Sequence, residues 1–233
     1  MDNLLEVKEV VKSIENKSIL KGLTFSLEKG KVLGVMGPNG SGKTTLLNCI
    51  YGFLRMNSGE IQIDGIKVGV KSKKIVSYLQ DKSAFPKWMK VKDVINYYEK
   101  FFEDFNRKKM EDLLVKMKLQ ENMKIKQLSK GMNEKLSLSL ALSRESKLYL
   151  LDEPVSGVDP VAREKIIEFI IESLSENSSL IITTHYVGEL EKIFDDVLFI
   201  RDGKVIEQGE AESLRIKYGL SIDGVYRKIF AEE

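Results

Sequence analysis

The chain has 233 residues, with 37 lysines and arginines against 35 acids, a net charge of +2, and a composition 42% hydrophobic and 31% charged. A balance this near neutral supplies no bulk attraction to nucleic acid, and no nucleic-acid partner is expected; the hydrophobic share is that of an ordinary globular protein. The one cysteine, Cys49, excludes an intrachain disulfide and reads as a small buried hydrophobe, no stretch approaches the roughly 20 apolar residues that span a bilayer, and residues 1–6 lack the basic start and apolar run of a secretion signal.

Residues 4–28 alternate short apolar runs with charge and predict β structure, ended by the turn Lys29-Gly30-Lys31. Val32-Leu33-Gly34-Val35-Met36 is continuously apolar, as suits a strand buried on both faces of a parallel sheet. A glycine-rich loop follows, and Thr44 to Ile50 opens a helix. Residues 60–68 alternate about Asp64-Gly65, a hairpin signal, and residues 75–79 predict a strand ending at Gln80. From 86 to 126 the period becomes helical: Val94, Tyr97, Tyr98, Phe101 and Phe102 read as a core-packing stripe, and Met110, Leu113, Leu114 and Met117 repeat the spacing. The run Leu136 to Ser143 alternates leucine or alanine with serine at period two, which says strand, although leucine and alanine are good helix formers. Residues 148–151 and 180–184 predict two more buried strands. The helix between them is capped by Asp159 with Pro160 in its first turn, giving a βαβ unit in an α/β fold. A second Asp-Gly turn separates residues 197–200 from 204–206, and the last 25 or so residues predict short helices.

Gly37-Pro38-Asn39-Gly40-Ser41-Gly42-Lys43-Thr44-Thr45 has the spacing of a phosphate-binding loop between strand and helix. Side chains would obstruct backbone N–H groups that must converge on phosphate oxygens, and the helix start turns further N–H groups on the same anion. Lys43 neutralises the outer phosphates and Thr44 offers a hydroxyl to Mg²⁺. Asp152 and Glu153 end a buried run, where carboxylates face the ligand edge of a parallel sheet: Asp152 suits Mg²⁺ binding through water, Glu153 suits polarising an attacking water. Gln80 also ends a predicted strand, within reach of the metal or the water. His185, the one histidine, follows the run 180–184 onto the same edge, where neutral imidazole can hydrogen-bond the γ-phosphate; a single histidine excludes a multi-histidine metal site. Ser129 in Leu128-Ser129-Lys130-Gly131-Met132 can cap a helix.

In this order the motifs resemble an ABC-type ATPase domain over essentially the whole chain, Leu128 to Met132 being the piece that separates that family from other phosphate-loop ATPases. The resemblance implies a phosphate-loop ATPase core with a mostly parallel sheet, an N-terminal antiparallel β subdomain and a helical insert: one domain over 1–233, with core residues 1–85 and 142–233 and helical residues 86–141. It implies ATP and Mg²⁺ as cofactors and a second ATPase subunit, homo- or heterodimeric, arranged head to tail. Ser129 and Gly131 then act on the partner's γ-phosphate, with Asp159 at the dimer interface. It makes Glu153 the general base, Gln80 a sensor of the membrane partner and His185 the γ-phosphate switch, and it settles residues 136–143 as helix. Lys130 and Met132 depart from the usual glycine and glutamine, and Ile14 stands near the place of the usual adenine-stacking aromatic. The subgroup resembled is that of bacterial subunits with a separate integral membrane permease for export of antimicrobial or amphipathic peptides. That implies a cytoplasmic location on the inner membrane face, with Phe85, Trp88 and Met89 near the permease groove. The alternative is a soluble non-transport ABC ATPase of translation or DNA repair.

Overall fold

The structure, a computed structural model, describes residues 2–80, 85–156 and 160–231. Strands β1 (Asn3–Ile14) and β2 (Lys17–Glu28) form a long antiparallel hairpin. β3 (Val32–Met36) leads through the glycine-rich loop to helix α1 (Lys43–Tyr51). β4 (Ser58–Ile63) and β5 (Ile66–Lys67) turn at Asp64-Gly65, both at positive φ (49° and 73°), the turn whose twist matches paired strands. β6 (Val76–Leu79) is followed by α2 (Val91–Phe101), α3 (Arg107–Met117) and α4 (Lys130–Leu142). Then come β7 (Leu148–Asp152), α5 (Pro160–Ser173), β8 (Ser179–Thr183) and the single turn α6 (Val187–Leu190). β9 (Asp196–Arg201), β10 (Lys204–Glu210), α7 (Ala211–Tyr218) and α8 (Ile222–Phe230) complete the fold.

Two sheets result. One is antiparallel, in the order β2-β1-β4-β5; the other has the order β10-β9-β3-β8-β7-β6, parallel throughout except for its edge strand β10. The apolar runs of the parallel sheet divide residue by residue between two cores. Leu148, Leu150 and Ile181 join Leu46, Leu47 and Ile50 of α1 and the inner face of the antiparallel sheet. Tyr149, Leu151, Leu180 and Ile182 face the opposite way, toward α2 to α5 and the C-terminal helices. Each strand is therefore apolar on both faces, which is why its sequence shows no alternation. Cys49 lies in the first core, fully buried, and burial pushes its thiol up to about 11.

The run 136–143 is helical, within and just beyond α4. Leu136, Ser137, Leu138, Ser139 and Leu140 are all buried, so the helix is covered all round and has no polar face to set a 3.6 period. Ser139 Oγ donates to Lys135 O (2.8 Å) and Ser143 Oγ to Ser139 O (2.7 Å), which lets serines be buried there. The aromatic stripe on α2 does not pack as a unit. Val94 is buried and Tyr98 packs on the core. Tyr97 and Phe101 instead stand 50% and 66% exposed, stacked on each other with centroids 4.4 Å apart. Neighbours 100° apart on a helix cannot all face one core.

A buried ion pair ties the insert to the core. Arg144, just past α4, donates from Nε and Nη2 to Asp104 (both 2.9 Å) and from Nη1 to Val76 O (2.7 Å), and its guanidinium lies 4.1 Å from the Phe102 ring centroid. Its side chain is only 3% exposed, and removing one partner of a pair so buried costs about 3–5 kcal/mol.

Candidate active site

The glycine-rich loop leaves β3 and wraps the start of α1. A Cβ on Gly37 would lie 2.1 Å from Ile200 O, so nothing larger fits. Gly42 has φ 110°, and a Cβ there would meet Leu20 Cδ2 at 2.8 Å. Lys43 folds back, its Nζ donating to Gly37 O (2.7 Å) and Pro38 O (3.2 Å). It is 7% exposed, and burial lowers its pKa against the opposing pull of the Glu153 and Asp152 carboxylates. Ser41 is buried within the same loop.

β7 and β8 run in parallel register with Asp152 beside Thr183, so two polar residues end adjacent strands at one level. Thr183 Oγ1 donates to Asp152 Oδ1 (2.6 Å) and accepts the Glu153 N–H (3.0 Å). Asp152 is 1% exposed, and its Oδ2 has no hydrogen-bond partner among the described residues. A buried carboxylate oxygen left over in this way suits a cation or its water. Among the described residues no group of three or more His, Cys, Asp or Glu could hold a metal, so phosphate and water oxygens would complete the shell, as Mg²⁺ prefers.

Glu153 has φ 50°, a left-handed conformation that an L-residue adopts at a cost of about 1–2 kcal/mol. The turn brings its carboxylate to His185, which approaches Oε1 with Nε2 (3.0 Å) and donates its backbone N–H to Oε2 (3.2 Å). Burial first, then the Lys43 charge, lowers the His185 pKa, against Asp152. The lowered pKa favours the neutral imidazole near pH 7, so the approach of Nε2 to Oε1 is a close polar contact and not an ion pair, and the hydrogen bond between the two residues is the one from the His185 backbone N–H.

A cavity of about 500 Å³ gathers these groups: Asn39, Gly40, Gly42, Lys43, Thr44 and Thr45 from the loop and α1, with Asp152, Glu153, Ser156 and His185 opposite. Its lining suits a polyphosphate, with the Glu153 carboxylate at one end. A slightly larger cavity, about 540 Å³, opens between β2 and the β9–β10 hairpin. There Glu28, Asp196 and Glu210 outnumber Lys31, and phosphate would be repelled.

The ABC transporter family model matches residues 20–156, more than half of the chain. The chain belongs to the ABC transporter family. As an ABC domain it binds and hydrolyses ATP. It is similar to the L-cystine import ATP-binding protein TcyC of Bacillus subtilis (strain 168), at 32% identity over 91% of this chain and 92% of that one. The linearmycin resistance ATP-binding protein LnrL of the same organism is 29% identical over 93% of this chain and 72% of its own. A solved structure described as the ATP binding subunit of an ABC transporter superposes with a TM-score of 0.87 at 24% identity, over 97% and 98% of the two chains, and so shares the fold.

Other residues singled out in this ABC domain stand apart from the cavity. Ser129 caps α4, accepting the Met132 N–H (3.2 Å), and with Gly131 lies outside the cavity lining. Gln80, exposed after β6, borders a groove of about 200 Å³ with Tyr51, Phe53, Tyr78 and Tyr97. Ile14 ends β1, 40% exposed; Lys17 and Ile19 of β2, not Ile14, line the cavity. Asp159, with Gly157 and Val158, lies outside the described residues. Thr183 and Ile19 went unnoticed in the sequence. The signal for Thr183 was available, since it ends the strand paired with the Asp152 strand.

Proposed function

We propose that this domain hydrolyses Mg²⁺-ATP in a head-to-tail dimer and so drives a separate integral membrane permease. The observation that carries the reading is the composition of the cavity: it gathers the glycine-rich loop, Lys43, Asp152, Glu153 and His185, yet Ser129 and Gly131 are not in its lining. A second subunit, its α4 start laid over the γ-phosphate, completes the site.

Thr44 and Asp152 would hold Mg²⁺, with Gln80 joining them in the closed state, and the ion would supply charge neutralisation for the phosphates. Loop N–H groups and Lys43 hold the phosphates in line. Glu153 accepts the proton of the attacking water as the bond to the γ-phosphorus forms and the bond to ADP breaks. His185 and the partner's Ser129 hydrogen-bond the γ-phosphate oxygens.

Mixing tests the shared site. Ser129→Ala and Lys43→Ala subunits are each expected to be inactive. Mixed, they form heterodimers with one intact composite site, and phosphate release returns. No recovery, with both variants folded and exchanging subunits, would sink the head-to-tail reading.

The permease contact falls at the groove beside Gln80. Phe53 and Tyr97, 52% and 50% exposed, line it, and Phe101 stacks on Tyr97; Trp88, 76% exposed, lies outside its lining, as do Phe85 and Met89, which pack against the core. Exposed aromatics gathered at one groove mark a protein contact, here a cytoplasmic helix of the permease. No helix among the described residues is long and apolar enough to cross a membrane; in this reading the permease holds the domain to the inner face. The helical arm, residues 86–141, carries one wall of the groove and Ser129 together.

The cargo we propose is an amphipathic peptide or drug, moved outward. The support is the Leu128 to Leu136 segment, which resembles that of peptide exporters; relatives are named for both import and antibiotic resistance. In liposomes holding the complex with its co-purified permease, amphipathic peptides are expected to raise ATP turnover. Stimulation by a small polar amino acid in their place would overturn the assignment.

A further inference from the structure

His185 sits on a turn with little support of its own. β8 ends at Thr183, and the helix that follows, α6, is four residues long, too short to hold itself by its own hydrogen bonds. The turn must be pinned from outside. On one side Thr184 Oγ1 accepts the Tyr186 N–H (2.8 Å), and Glu191 Oε2, just beyond α6, accepts the Asp223 N–H from α8 (2.9 Å). Val187 and Leu190 of α6 are buried in the core, and the exposed side of the turn meets Arg163 of α5. The Arg163 guanidinium carbon lies 3.8 Å from the Tyr186 ring centroid, over its face, and Nη1 donates to Glu189 Oε1 at 2.9 Å. The Arg163 side chain is 13% exposed, which shields the ring contact, while Glu189, 39% exposed, keeps the ion pair at the surface. Tyr186 is the neighbour of His185, and Glu189 lies three residues further on, in α6. The guanidinium therefore grips the turn on both sides of its bend.

We propose that Arg163 is a positioning residue for hydrolysis: by clamping Tyr186 and Glu189 it fixes the turn that aims His185 at Glu153 and at the γ-phosphate. The proposal rests on the reading of His185 as the γ-phosphate contact. Arg163 does not line the cavity that gathers Lys43, Asp152, Glu153 and His185. Its removal should therefore leave nucleotide binding alone and slow the chemical step. Lysine cannot replace it fully, because an ammonium can reach Glu189 but has no plane to lay on the Tyr186 ring.

His185 is the only histidine in the chain, so the imidazole signals of a histidine-labelled sample report on this turn alone. In the full chain, Arg163→Ala is expected to lower kcat for ATP hydrolysis by about 10- to 100-fold with KM within about twofold, and to move or broaden the His185 imidazole resonances. Arg163→Lys should recover part of both. Turnover close to wild type in Arg163→Ala overturns the proposal, and so does a fall in kcat with the imidazole resonances unmoved, since a merely structural role would give that result. If circular dichroism shows Arg163→Ala unfolded, Tyr186→Leu removes the same stack and carries the same expectations. His185→Ala separates the two readings: wild-type turnover in that variant removes the role of His185 itself, whatever Arg163→Ala does.

Discussion

Replacing Glu153 with glutamine is expected to reduce steady-state phosphate release by two to four orders of magnitude, the usual contribution of a positioned general base, while ATP still binds. The amide keeps the shape of the side chain and can still accept the His185 N–H, now 3.2 Å from Oε2. It cannot take a proton from water. The backbone that presents it, φ 50° with its N–H on Thr183 Oγ1, should persist, so the effect belongs to the proton acceptor and not to misfolding. Because the closed state is spent by hydrolysis, Glu153→Gln should also accumulate as an ATP-bound dimer, visible by gel filtration. Turnover at the wild-type rate would remove Glu153 from the base role and turn attention to His185.

The second large effect is expected on binding. Lys43→Ala should weaken Mg²⁺-ATP by at least about 10-fold, since each charge-assisted hydrogen bond lost contributes about 1.5–3 kcal/mol. Nζ donates to the Gly37 and Pro38 carbonyls, and burial lowers its pKa against the pull of Glu153 and Asp152. The ammonium is thus a partly desolvated charge that a phosphate would stabilise further. The nucleotide-free variant should therefore melt no lower than wild type, while the rise in melting temperature that ATP gives the wild type should vanish. Calorimetry checks the affinity and a thermal scan checks the rest. Unchanged affinity would contradict the assignment of Lys43 to the phosphates.

Much of this site was legible because chain order and fold coincide there. The loop, Asp152 and His185 each follow a buried strand, and continuous apolar runs announce such strands directly. What was not legible depends on which neighbour a side chain meets. The period-two run at 136–143 pointed to a strand on its own terms, because a helix covered on all sides has no outer face to reveal its turn. Tyr97 and Phe101 fit a helical core stripe by spacing, yet the core lies on the adjoining face with Val94 and Tyr98. The side of the cavity lined by Ile19 and Lys17 is set by how β2 passes the start of α1, a contact between elements that no local pattern encodes. Arg163 gave no signal either, since a charged residue on a helix ordinarily reads as solvated surface.

Helix α4 has unlike ends. Its far end runs into the buried Arg144–Asp104 pair, while its near end, Ser129, is exposed. Thirteen residues make a rod about 20 Å long, so a tilt of about 5° at the anchored end would sweep the serine through roughly 2 Å. That distance separates a made hydrogen bond from a broken one. The anchor also borders the groove that holds Gln80, since Arg144 and Tyr97 line the same walls. A lever with its fulcrum beside one contact and its tip at another trades a small, stiff displacement for a larger one across the molecule.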